Sequence, residues 1–165
     1  MNFSELKNNN RVFIDANIFI YNFTGLSREC KNLLLKCENE EIKGYTSTSI
    51  LAEVLHRLMI AEAIEKGYIS EKNPVKKLKE QPEVIKNLST YNICVDKIFD
   101  MNINIIDLSS EIFRSSAHIR NSDYLLVNDS LVVSAMKYFE ITNLATNDYD
   151  FDKIEWIKVY KPSDL

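Results

Sequence analysis

Apolar and polar residues fall into two recurring patterns along the chain. Val12-Phe13-Ile14 is an unbroken apolar run that stops at Asp15, as a short strand buried on both faces does. Past Ser27, the positions Cys30, Leu33, Leu34 and Cys37 recur at helical spacing, which predicts a helix capped by Ser27 and closed by Gly44. Tyr45-Thr46 predicts a second strand. Ser49 then opens a helix with Ile50, Val54 and Leu58 on one row and Leu51, Leu55 and Met59 on the next. From about residue 62 to 92 the chain is charged, holds Pro74 and Pro82, and carries Lys72, Lys76, Lys77 and Lys79. This stretch is expected to be a helical excursion from one domain spanning 1–165. Beyond it come the end of a helix at 98–101, a third strand at 103–106 and a helix at 109–119. Asp129 is expected to open the next helix, through Phe139. A fourth strand follows at 143–146 and a fifth at 156–160, stopped by Pro162.

Strands that alternate with helices of this length predict an α/β fold with a central parallel sheet of about five strands and helices on both faces. The length of 165 residues suits one domain. With 20 Lys+Arg against 24 Asp+Glu the net charge is −4, which argues against nucleic-acid binding by bulk positive charge. It leaves open an enzyme that meets phosphates through metal. No run is long enough for a membrane span, and the opening lacks the order of a secretory signal, so no membrane partner is expected. Cys30, Cys37 and Cys94 are odd in number and lack metal-site spacing. A reduced, cytoplasmic protein is the expectation.

In an open parallel sheet, ligands bind beyond the carboxyl ends of the strands. Asp15 directly follows the first predicted strand, and Asp148 stands two residues past Thr146 at the end of the fourth. On a helical wheel Asp129 shares a side with Val132, Val133 and Met136; an inward carboxylate needs a partner, unless it serves only as a helix cap. Glu53 lies off the apolar stripe, four residues before Arg57, near the helix end that faces the same crevice. Taken singly, Asp15 and Asp148 read as turn caps, Glu53 as a solvated helix charge, and Asp150 and Asp152 as loop charges. Taken together they converge on one edge. Carboxylates so crowded repel unless protonated or offset by cations, and oxygen donors without His or Cys suit Mg²⁺ or Mn²⁺. Such ions hold phosphates and activate water.

Four stretches carry a family resemblance that spans nearly the whole chain. Val12-Phe13-Ile14-Asp15-Ala16-Asn17-Ile18 resembles the opening motif of PIN-domain ribonucleases. Thr48-Ser49-Ile50-Leu51-Ala52-Glu53-Val54-Leu55 is similar to the second acidic motif, and Asn128-Asp129-Ser130-Leu131-Val132-Val133-Ser134-Ala135 to the third, with Ser130 where Ala is common. Leu144-Ala145-Thr146-Asn147-Asp148-Tyr149-Asp150-Phe151 resembles the closing motif. The resemblance implies a three-layer α/β/α fold and a metal-dependent endoribonuclease like VapC-type toxins of toxin–antitoxin pairs. It implies Asp15, Glu53, Asp129 and Asp148 as catalytic and metal-binding acids, with Asn17, Thr146 and Asp150 in support. Mg²⁺ or Mn²⁺, as two ions, would be the cofactor. RNA would be the substrate, an antitoxin protein a partner, and a second copy of the chain a further one.

Two other readings compete. A phosphatase of haloacid-dehalogenase type also begins with a strand and Asp, but it needs an acid where Asn17 stands. A PIN-like module that binds RNA or protein without cleaving needs no acids. His56 and His118 have no metal-spaced partner, and Cys30 and Cys37 read as buried apolar positions. The lysines of 72–79, together with Arg114, His118 and Arg120, read as solvated faces, and Tyr21 and Phe23 as core.

Overall fold

A computed structural model describes residues 1–165. Its strands are β1 (Arg11–Ile14), β2 (Lys43–Ser47), β3 (Asn104–Ile106), β4 (Asn143–Ala145) and β5 (Lys158–Tyr160). All pairings are parallel, in the order β3-β2-β1-β4-β5. The alternation in the sequence predicts this α/β architecture. Val12, Phe13 and Ile14 of the central strand are fully buried, which is why that run lacks any polar interruption. From β1 the chain builds outward through β2 and β3, then returns to lay β4 against the other side of β1. The strand order therefore switches direction at β1 and β4, and a crevice opens beyond their carboxyl ends.

The chain forms seven α-helices: α1 (Ala16–Phe23), α2 (Arg28–Glu38), α3 (Thr48–Glu65), α4 (Pro74–Glu80), α5 (Thr90–Phe99), α6 (Ser110–Asp123) and α7 (Val127–Tyr138). Ser27 caps α2 by accepting from Cys30 N at 3.0 Å, and the predicted stripe of Cys30, Leu33, Leu34 and Cys37 is buried. Four expectations need correction. The sequence reading lacks α1, which follows β1 with only Asp15 between. Gly44 does not close α2; it lies inside β2, where an added Cβ would stand 3.0 Å from Cys37 Sγ and 3.1 Å from Ile103 Cγ1. Helix α3 starts from Ser47 rather than Ser49, because Ser47 Oγ is the acceptor for Ile50 N. Helix α7 begins two residues before Asp129.

Within residues 62–92, Ala63, Ile69, Leu78, Val84 and Leu88 form a small cluster separate from the main core of 36 residues. Glu62 is buried on α3 and reaches across to the base of this segment. Its carboxylate accepts from Lys66 Nζ (2.7 Å), Ser89 N (3.0 Å) and Tyr91 N (2.9 Å). It thereby satisfies the start of α5, whose own cap residue Ser89 makes no side-chain cap bond. Five residues bury little apolar area, so this segment should open before the main core does. Brief trypsin treatment should cut first at the exposed Lys72, Lys76, Lys79 or Lys86. First cuts in α2 or α7 would contradict this.

Candidate active site

The register of β1 and β4 builds the site. Ile14 pairs with Ala145, so the next residues, Asp15 and Thr146, leave the sheet side by side. Asp15 N donates to Ala145 O at 3.0 Å, and Thr146 Oγ1 donates to Asp15 Oδ2 at 2.6 Å. Asp15 also caps α1, its Oδ1 accepting from Ala16 N at 2.7 Å. Asn17, in the first turn of α1, uses both ends of its amide. Nδ2 donates to Asp15 Oδ2 (2.5 Å) and Thr146 Oγ1 (2.9 Å), while Oδ1 accepts from Asn147 N (3.1 Å). The fully buried Thr146 hydroxyl accepts a further bond from Asp148 N at 3.0 Å, which uses its one donor and both lone pairs. Asp148 Oδ1 in turn accepts from Asp150 N at 2.9 Å. One network thus fixes the end of β1, the start of α1 and the loop after β4.

The other two acids arrive from helix starts. Ser47 ends β2 and caps α3, which carries Glu53 to the same edge; Glu53 pairs with Arg57 at 3.7 Å. Asp129 lies in the first turn of α7 and takes no hydrogen bond from the chain. The cap-only reading of Asp129 therefore fails. Glu53, Asp129, Asp148 and Asp150 line an open cleft of about 520 Å³ with Leu126, Val127 and Asn128. Asp15 is outside this lining but within electrostatic range of Glu53, Asp148 and Asp129.

The electrostatics follow from this crowding. Burial pushes the Asp15 carboxyl up to about 6, against the pull of Thr146 and the Ala16 N–H, with Glu53 and Asp148 adding repulsion. Burial also raises Asp129 to about 6, helped by the charges of Asp148, Asp15, Asp150 and Glu53. Asp15 and Asp129 thus hold their negative charge at a cost.

The sequence model of the PIN domain matches residues 12–157, almost the whole chain. This protein belongs to the PIN-domain family. It is 32% identical over 152 residues to Ribonuclease VapC2 of Methanocaldococcus jannaschii, covering 91% of this chain and 93% of that protein. It is 27% identical over 158 residues to Ribonuclease VapC6 of the same organism, covering 91% and 96%. Among solved structures, VapBC2 from Rickettsia felis bound to promoter DNA has a TM-score of 0.55 at 22% identity, covering 92% of this chain and 98% of that one. Mycobacterium tuberculosis VapC20, a toxin that cleaves the sarcin-ricin loop, has a TM-score of 0.58 at 9% identity, covering 88% and 96%. At such identities these structures establish the shared fold.

The donor chemistry of this PIN domain suits a hard divalent cation. The cleft offers carboxylate and amide oxygens and neither His nor Cys; His56 and His118 are both exposed. A cation would also offset the burial and the mutual repulsion that raise Asp15 and Asp129. No three acids stand close enough to grip one ion jointly. In the phosphatase reading Asn17 would have to be an acid; here its amide is fully engaged in holding Asp15 and the 147 loop. Leu126 and Val127 escape a search for charged motifs; their only signal in the sequence is the apolar run Leu125-Leu126-Val127 directly before Asn128-Asp129.

Proposed function

We propose that this PIN domain is a Mg²⁺- or Mn²⁺-dependent endoribonuclease and the toxin of a toxin–antitoxin pair. The observation that carries the reading is the convergence of Asp15, Glu53, Asp129, Asp148 and Asp150 on one sheet edge. Near full-length similarity to two proteins named ribonuclease supports it.

Asp15 and Asp129 would hold the metal, with Asp148 beside them, and Asn17 and Thr146 keep Asp15 oriented. A bound divalent ion supplies charge neutralisation for the phosphate and acidification of water. Glu53, partly open to solvent and paired with Arg57, would help bind the metal or orient the attacking water. Hydrolysis consumes one water, breaks one P–O ester bond and leaves a phosphate monoester and a hydroxyl. The partner would be an antitoxin protein, as in the similar solved toxin–antitoxin complex from Klebsiella pneumoniae.

Expression alone should slow host growth and degrade RNA, with relief when the adjacent small gene is co-expressed. Purified protein should cleave single-stranded RNA with Mn²⁺ and stop in EDTA. Normal growth at high soluble levels would remove the toxin role; absence of cleavage with either metal would remove the nuclease.

A further inference from the structure

Tyr149 sits between two acids of the cleft, Asp148 and Asp150, and is 74% exposed. A single exposed aromatic residue is unremarkable in itself. This one is held in place. Asp148 Oδ1 accepts from Asp150 N, and Tyr149 O accepts from Asp152 N at 3.1 Å, so two turns bracket it. The buried Phe151 anchors the same loop in the core. Lys161 Nζ lies 3.5 Å from the centroid of the ring and is itself fixed by Asp152 Oδ2 at 2.6 Å. One face of the ring is thus covered by a positioned ammonium while most of the side chain stays in solvent. A rigid aromatic ring has paid its ordering cost before a ligand arrives. The ammonium, itself ion-paired with Asp152, holds the ring from one face.

We propose that Tyr149 is a stacking platform for a base of single-stranded RNA next to the phosphate under attack. The inference rests on the ribonuclease reading above and adds the residue that seats the substrate. Every base has a π-face, so the platform positions the strand with little sequence preference. Leu126, 75% exposed on the cleft that Asp148 and Asp150 line on either side of Tyr149 in the chain, offers apolar surface to the neighbouring nucleotide.

Tyr149→Ala should lower kcat/KM for single-stranded RNA roughly 10- to 100-fold, chiefly through KM. Tyr149→Phe and Tyr149→Trp should restore most of it, and Lys161→Met should give a smaller loss. Tyr138→Ala, which removes another exposed ring about 14 Å along α7 from Asp129, should change nothing. Independently of turnover, RNA carrying 5-iodouracil should photocrosslink to Tyr149. Cleavage unchanged in Tyr149→Ala, or crosslinks confined to other residues, would overturn the platform alone. Unchanged cleavage with lost inhibition by the antitoxin would assign the ring to protein docking and overturn it as well. A wild-type protein that neither cleaves nor crosslinks RNA would overturn both readings.

Discussion

Asp129→Asn should stabilise the metal-free protein while removing its activity. Asp129 takes no hydrogen bond from the chain, so Asn forfeits none, and the change nearly preserves volume. What it removes is a charge held against burial and four neighbouring carboxylates. A carboxyl raised from 3.8 to about 6 binds protons more tightly in the folded state than in the unfolded one. It penalises folding fully above about pH 6, and the penalty fades as the pH falls toward 4. With allowance for solvent screening at a half-buried group and for coupling to Asp15, the relief at pH 7 is on the order of 1–2 kcal/mol. That is a rise in Tm of a few degrees in EDTA, readable by calorimetry. Cleavage should fall at least about 100-fold, because a ligand charge has gone. A lower Tm in EDTA with cleavage intact would mean that Asp129 is a structural group.

Glu62→Gln should act in the opposite direction, and strongly. Burial alone would raise the Glu62 carboxyl. The bond from Lys66 and those from the Ser89, Tyr91 and Thr90 N–H groups outweigh burial and bring it down from 4.5 to about 2. Its stabilisation is complete above about pH 4.5 and is lost as the pH falls through 2. At pH 7 the charged acceptor is worth about 2–3 kcal/mol, so Glu62→Gln should lower Tm by roughly 5–10 °C. Glu62 is nine residues, about 14 Å, along α3 from Glu53. Cleavage per folded molecule should therefore survive. The two effects combine in the wild type without metal. Stability should rise from pH 7 to about 5 as Asp15 and Asp129 protonate, then fall below about 4 as Glu62 does. A stability that only declined on acidification would contradict the assignment of the two raised acids.

The strand ends and the acids beyond them were readable because burial on both faces forbids polar residues from Val12 to Ile14 of β1, until the strand stops at Asp15. Asp148 was placed by the same logic after β4. Asp129 could be put on the apolar side of its helix, but the choice between cap and inward charge depended on the true start of α7. Leu126 occupies that cap position without a side-chain acceptor, so no polar residue marks it. Ser47 and Ser49 are equally good caps locally; the register of β2 against β3 selects the first. Helix α1 was hidden because Ile18-Phe19-Ile20 reads as a continuous apolar run, and its cap is a residue already assigned to the site. The contacts of Glu62 with Ser89 and Tyr91, and of Lys161 with Tyr149, join residues far apart in sequence. No local pattern encodes them.

In the proposed function, the acids at the ends of β1 and β4 bind a divalent cation through which RNA is cut. Titration calorimetry with Mn²⁺ on wild type and Asp15→Asn, each checked for native fold by circular dichroism, tests it most directly. Wild type should bind Mn²⁺ and gain Tm with it, and folded Asp15→Asn should lose both responses together with cleavage of a mixed RNA pool. Manganese binding and cleavage that persist unchanged in folded Asp15→Asn would contradict it.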